Sequence, residues 1–343
     1  MKNLILLIAL MLMMAACQQE PAELTVMTHD SFAISEDILA AFEEEHNVTI
    51  VLLPSGDTGA ALNQAILSAE NPLADVFYGV DNTFMGRALD AGIFIPYESE
   101  MLAQVPDHLE LDESHRLTPI DTADVCLNYD ISRLQELGVE PPDSLMALTD
   151  PAYQGLLVVE NPATSSPGLS FLLATIATFG DKGDYNYRDY WADLRQNEVL
   201  VTSGWEDAYW GQFSGASDGE YPLVVSYASS PPAEVFFNEL ESSPTAAITS
   251  SGSCFRQIEF AGILAGTERE ELAGEFIDYM LSETFQEDIP LNMFVFPANE
   301  NAELPDVFTR WTEMPADPAT LDPAFIDANR EVWIETWTEV VLR

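Results

Sequence analysis

Basic residues are nearly missing from this chain. Lys2 and Lys182 are the only lysines, and Lys plus Arg total 12 against 58 Asp plus Glu, a formal net charge of -46 over 343 residues. Phosphate backbones are gripped by clustered basic groups, so nucleic acid is excluded as a partner. An anionic membrane surface is excluded as an electrostatic partner for the same reason. A field this negative favours cationic ligands, keeps the folded chain soluble, and suits surroundings salty enough to screen it. Histidine is scarce too: His29, His46, His108 and His115 include no pair at i and i+4, so a catalytic zinc motif is absent. Neither a metal nor a cofactor is expected. Beyond the amino end no stretch approaches 18 apolar residues, so the rest is expected to be soluble.

Apolar residues make up 47% and charged ones 20%, enough to bury a core, and the length suits roughly two domains. Lys2 precedes an apolar run from Leu4 to Met14, followed by Ala15-Ala16-Cys17. That run is too short to stay in a bilayer as a helix. The pattern is similar to a bacterial lipoprotein signal over 1–17, with Cys17 lipidated and 18–23 as a polar linker, although Met14 replaces the usual Leu. A plain secretory signal is the alternative. Either places the folded domain outside the cytoplasm, the lipid chains being its one link to the membrane.

Strands are expected at 24–27, 48–53 and 74–78, with helices at 34–45 and 60–69 between them. After a polar, proline-containing stretch over 96–119, strands resume near Val125 and at 156–159, 199–202 and 223–226. This alternation predicts an α/β fold with a parallel sheet covered on both faces. Helical spacing over 270–281 and 330–341 buries one face, with Trp333 and Trp337 as core.

Ligands of open α/β sheets sit beyond the carboxyl ends of the strands. The loops there carry Thr28-His29-Asp30-Ser31, Ser55-Gly56-Asp57-Thr58, Gly79-Val80-Asp81-Asn82, Ser203-Gly204-Trp205 and Ser226-Tyr227-Ala228-Ser229. Each reads equally as a helix-capping turn. Capping has no use, however, for Trp205 and Tyr227. Aromatic faces beside carboxylates hold a delocalised cation, at about 0.5–2 kcal/mol per ring, so a small cationic molecule is expected. Thr164, Ser165 and Ser166 open an apolar helix, where hydroxyls and unpaired N–H groups can hold an anionic oxygen. Gly215-Ala-Ser217-Asp-Gly219 matches a nucleophile-elbow pattern but lacks its strand and helix, and reads as a turn.

These loops, in this order, resemble those of the periplasmic thiamine-binding proteins of ABC importers. Leu24 to Phe32, Ala74 to Asn82, Thr164 to Leu169, Thr202 to Tyr209, Val225 to Pro231 and Ile289 to Pro297 carry the likeness, which spans nearly all of the mature chain. It implies a two-lobed periplasmic-binding-protein fold, 24–120 with 258–343 against 121–257, and a ligand cleft between the lobes. Trp205, Tyr227 and the loop 289–297 would enclose the thiamine rings. Asp57-Thr58 and Ser165-Ser166 would meet its hydroxyethyl or phosphate end. His29, Asp30, Asp81, Tyr209, Ser229 and Phe294 complete the expected set. His29 stands where the family has an aromatic, and Phe294, a weaker π face, where it has Trp.

Once Cys17 is lipidated, Cys126 and Cys254 remain, and an even pair in an exported domain suggests a disulfide. On the resemblance they lie in the two segments crossing between lobes. The implied function is that of a substrate-binding lipoprotein, not an enzyme. It is expected to be monomeric and to deliver thiamine or thiamine phosphate to ABC permease subunits. A receptor for another small cation, such as a thiamine precursor or a polyamine, is the alternative. An exported enzyme acting on a small cationic metabolite is the reading from another class.

Overall fold

The computed structural model describes residues 21–343. The expected signal segment 1–17, with the expected lipidation at Cys17, and the first linker residues 18–20 lie outside the described residues. One sheet contains β1 (Ala22–Thr28), β2 (Val48–Pro54), β3 (Val76–Asp81), β4 (Phe94–Ile95), β5 (Thr118–Asp130), β6 (Leu157–Glu160), β7 (Leu200–Thr202), β8 (Leu223–Tyr227), β9 (Thr245–Ile248), β10 (Phe255–Leu264) and β11 (Phe296–Pro297). Its main path runs β2-β1-β3-β10-β5-β8-β6-β7.

The parallel expectation holds only in the wings. β1 pairs parallel with β2 and β3, and β6 with β7 and β8. Between the wings, β5 and β10 run antiparallel to each other and to their outer neighbours β8 and β3. The sheet is therefore mixed, and the fold is α/β with two lobes joined by two long strands. The sequence reading assigns no strand to 255–264 because β10 is buried along nearly its whole length and shows no alternation. The hinge, we propose, is where the boundaries at 120/121 and 257/258 cut these strands.

One apolar cluster runs through both wings. Phe42, from helix Glu36–His46, meets Phe276 edge-on at 5.1 Å between ring centroids. In the other wing helix Ser166–Phe179 is buried continuously from Ser166 to Ile176, so it lies inside rather than over the lobe. Trp191 donates its indole N–H to the Thr175 hydroxyl at 3.0 Å and meets Trp337 edge-on at 5.5 Å. Trp333 and Trp337 are core, 2% and 1% exposed. The chain after 258, expected whole in the first lobe, returns to the second: helix Asp306–Trp311 packs on Pro231–Phe237, and helix Pro323–Val341 on Tyr187–Gln196. Covering the indole of Trp337 with Trp191 draws that last helix across, while its contact with Met85–Asp90 keeps it touching the first lobe.

A disulfide joins Cys126 of β5 to Cys254 just before β10, with the Cα atoms 4.4 Å apart and the two residues 128 positions apart in sequence. Both cysteines are fully buried beside Ala228. The bond ties one crossing strand to the other, and neither lobe to its partner, so it steadies the hinge without opposing rotation about it. In the chain-entropy account a loop of this length contributes roughly 4–5 kcal/mol. Reduction, or Cys254→Ser, is therefore expected to lower the midpoint of thermal unfolding by several degrees while leaving ligand affinity within about threefold. Calorimetric unfolding with and without reductant measures the first, and titration the second.

Candidate functional site

A cavity of about 280 Å³ opens between the two wings, near the lower end of the small-ligand range. The loop after β1 supplies His29, Asp30, Ser31 and Phe32, and the loop after β2 supplies Asp57 and Thr58. Backbone at Gly79 makes room for the imidazole: its φ is +106°, and an added Cβ would stand 2.5 Å from the His29 ring. Thr58 donates its hydroxyl proton to the carbonyl of that glycine at 2.9 Å.

The second lobe supplies an aromatic wall. Trp205 opens helix Trp205–Tyr209 and stacks on Tyr209 with centroids 4.9 Å apart and planes 16° from parallel. Its indole N–H donates to Ser226 at 2.9 Å, and Tyr209 donates its hydroxyl proton to Glu234 at 3.1 Å, which fixes both rings. Tyr227 stands 6.2 Å from Trp205, tilted. Asn292, Met293 and Phe294 close the cavity from the loop before β11, Phe294 packing on Phe237 at 5.3 Å.

Asp57 ties the lobes together across this space. One carboxylate oxygen accepts N–H bonds from Thr58 at 2.7 Å and Ser166 at 3.1 Å, and the other accepts from Trp205 at 3.1 Å. A single acid of the first lobe thus caps its own helix and meets the starts of two helices of the second. Burial pushes the Asp57 carboxyl above the usual carboxylate range, against the lowering effect of its donors Ser165, Ser166, Trp205 and Thr58.

Charge on the wall is one-sided. Asp30, Asp57, Glu206 and Glu259 line it, His29 is the one basic side chain, and no Lys or Arg takes part among the described residues. His29 lies 3.7 Å from Glu259. Burial works against its protonation, yet Glu259, Asp57 and Asp30 together raise the imidazole above its ordinary value. Burial, then Glu259, Asp57 and Asp81, hold the Tyr227 phenol well above its usual value, so that ring faces the cavity uncharged. Concave, aromatic and anionic, the site is built for a flat cation.

The sequence profile of bacterial extracellular solute-binding proteins matches residues 71–314. The chain belongs to this family. Among its relatives, the thiamine-binding periplasmic protein of Escherichia coli K12 is 32% identical over 93% of this chain and 94% of its own length. The protein of the same name from Salmonella typhimurium is 31% identical over 97% and 98%. A solved periplasmic thiamin binding protein superimposes with a TM-score of 0.83 at 29% identity, covering 95% of this chain and 98% of that one. Iron-bound HitA from Pseudomonas aeruginosa, with a TM-score of 0.73 at 20% identity over 93% and 99%, shares the fold alone.

In this solute-binding protein the cavity wall gathers His29, Asp30, Asp57, Thr58, Ser166, Trp205, Tyr209, Tyr227 and Phe294 from the expected set. Asp81, Ser165 and Ser229 are not on it. Asp81 is spent on the turn that follows, accepting from the Thr83 N–H and hydroxyl at 2.6 Å each. Ser165 accepts from the Gly168 N–H at 3.4 Å as a helix cap, and Ser229 is fully buried behind the wall. Thr164 donates to the Ser203 carbonyl at 2.6 Å, which leaves the Ser166 hydroxyl as the one without a partner in that turn. Ser217 of the elbow-like motif donates to the Phe213 carbonyl at 2.8 Å, as a turn residue does. The sequence reading misses Glu206, Trp210, Phe237 and Glu259. Glu259 had a signal, being the lone charge in the apolar run from Ile258 to Leu264.

Asp57→Asn places an amide NH2 where three N–H donors converge. Ligand affinity is expected to fall about tenfold or more, roughly 1.4 kcal/mol, and the apo protein to become more open. Titration calorimetry and small-angle scattering check both effects.

Proposed function

We propose that this protein is the receptor subunit of an ABC importer, capturing thiamine as the free vitamin or its monophosphate and handing it to permease subunits. The observation that carries this reading is the pairing of Trp205, Tyr209 and Tyr227 with four wall carboxylates and no Lys or Arg. Thiamine offers two flat rings joined by a methylene, one of them with a fixed positive charge, which such a wall holds by stacking and by Coulomb attraction. The names of the relatives at about 30% identity support the same ligand. The family is one of solute carriers and not of enzymes, and it works outside the cytoplasm. Membrane attachment through a lipid on Cys17, and action as a monomer, complete the proposal.

Calorimetric titration of the domain after Cys17 is expected to show thiamine binding, with putrescine far weaker because it has no ring to stack. Trp205→Ala and Tyr227→Ala should each cost about 1–3 kcal/mol. Binding of putrescine but not of thiamine would overturn the reading.

A further inference from the structure

Beneath the cavity lies a feature that ligand capture alone does not use. Cross-strand partners share one face of a sheet, and Glu259 of β10 stands opposite Asp81 of β3 on one side and Asp121 of β5 on the other. Three carboxyls are therefore abreast across the crossing strands. Asp81 and Asp121 are fully buried and Glu259 is 6% exposed. The ladder shifts register between Glu259 and Phe260 against β5 and one residue further on, between Phe260 and Ala261, against β3, a distortion that re-aims side chains. Of the three acids, Glu259 alone reaches the cavity.

Too little positive charge is present to hold three anions. The Tyr78 hydroxyl lies 2.5 Å from Asp121 and 3.2 Å from Glu259, and it has one proton to give. One oxygen of Asp121 and one of Asp81 have no partner at all. Arg256 on β10 is taken by Asp124 in a two-pronged pair at 2.6 and 2.9 Å. The other ionisable groups facing the row are His29 and Asp30 after β1, Asp57 after β2, Glu206 and Tyr227 across the cavity, and Arg330 near Asp81. Acids outnumber bases there. Like-charged carboxyls so placed cannot all ionise. Burial, reinforced by Glu259, holds Asp121 well above the usual range, and burial lifts Asp81 to about 7.

Resting on the thiamine reading, we propose that the Asp81–Glu259–Asp121 row exchanges a proton for the ligand's positive charge. Glu259 faces the bound cation, and a carboxyl proton held in the row passes to water as the cation arrives. The sign follows from the charge: a cation beside the row favours its ionised form, so binding releases a proton and tightens as pH rises. Receptor loading and local acidity are thereby opposed.

Titration calorimetry with thiamine at pH 7 in phosphate and in HEPES, whose ionisation enthalpies differ and neither of which is a flat cation, reads the proton directly. Release of about half a proton or more per ligand is expected, with affinity rising about tenfold from pH 6 to pH 8. Asp121→Asn should remove most of the release, and Glu259→Gln gives the same reading should that variant fail to fold. His29→Gln removes the cavity's other titratable proton and is expected to weaken binding while keeping the greater part of the release. Equal heats in the two buffers, or loss of the release in His29→Gln with its retention in the acid variants, overturn the proposal while leaving thiamine capture intact. No thiamine binding at any pH overturns the ligand reading, and this inference with it.

Discussion

Strands β5 and β10 pair antiparallel from Val125 with Phe255 to Thr118 with Ala261, and the rest of the molecule hangs on that ladder. Each strand serves both lobes: β10 carries β3 of the first wing, and β5 carries β8 of the second. The Cys126–Cys254 bond sits at the end of this pair, one residue beyond Val125 and Phe255, and fixes its alignment. Two strands are narrow enough to twist or bend, and their ladder already shifts register between Glu259 and Phe260. The loops that line the cavity come from both sides of this pair.

The cleft uses charge in a way that follows from overall composition. A chain with 58 acids and 12 bases can line a cavity with carboxylates at little sequence cost, but it must then keep them from repelling one another. Two devices do so. Asp57 is surrounded by N–H donors from both lobes, so its charge is met by backbone dipoles. The acids under Glu259 are shut away from water, where neutral carboxyls are favoured. Glu160 belongs to the same pattern: buried, without a partner for either oxygen, and held well above the usual range by burial and then by Asp57.

Much of the fold was legible. Helix Glu36–His46, strand β2 and helix Thr58–Leu67 carry clear periods with polar caps between them, and they form within a residue or two of expectation. Trp205 and Tyr227 stood out because aromatics have no capping role. By contrast β10 has no alternation to read, and helices as short as Trp205–Tyr209 give too few turns for a period to appear. For the last helix, sequence shows that Trp337 is buried without showing that Trp191 covers it.

By itself the sequence determined the acidic excess, the presence of aromatics in loops that follow strands and the alternation of strands and helices. These depend on residue type and local spacing, which are written in order along the chain. Tertiary structure alone decided that Asp57 closes on Ser166 and Trp205, that Ser165 caps while Ser166 faces the cavity, and that Asp81, Glu259 and Asp121 stand abreast. Those three acids are separated by about 40 and 140 residues, and only strand pairing sets which of 58 acids become neighbours. Proximity of that kind is a property of register, and register is fixed by the packing of the whole sheet.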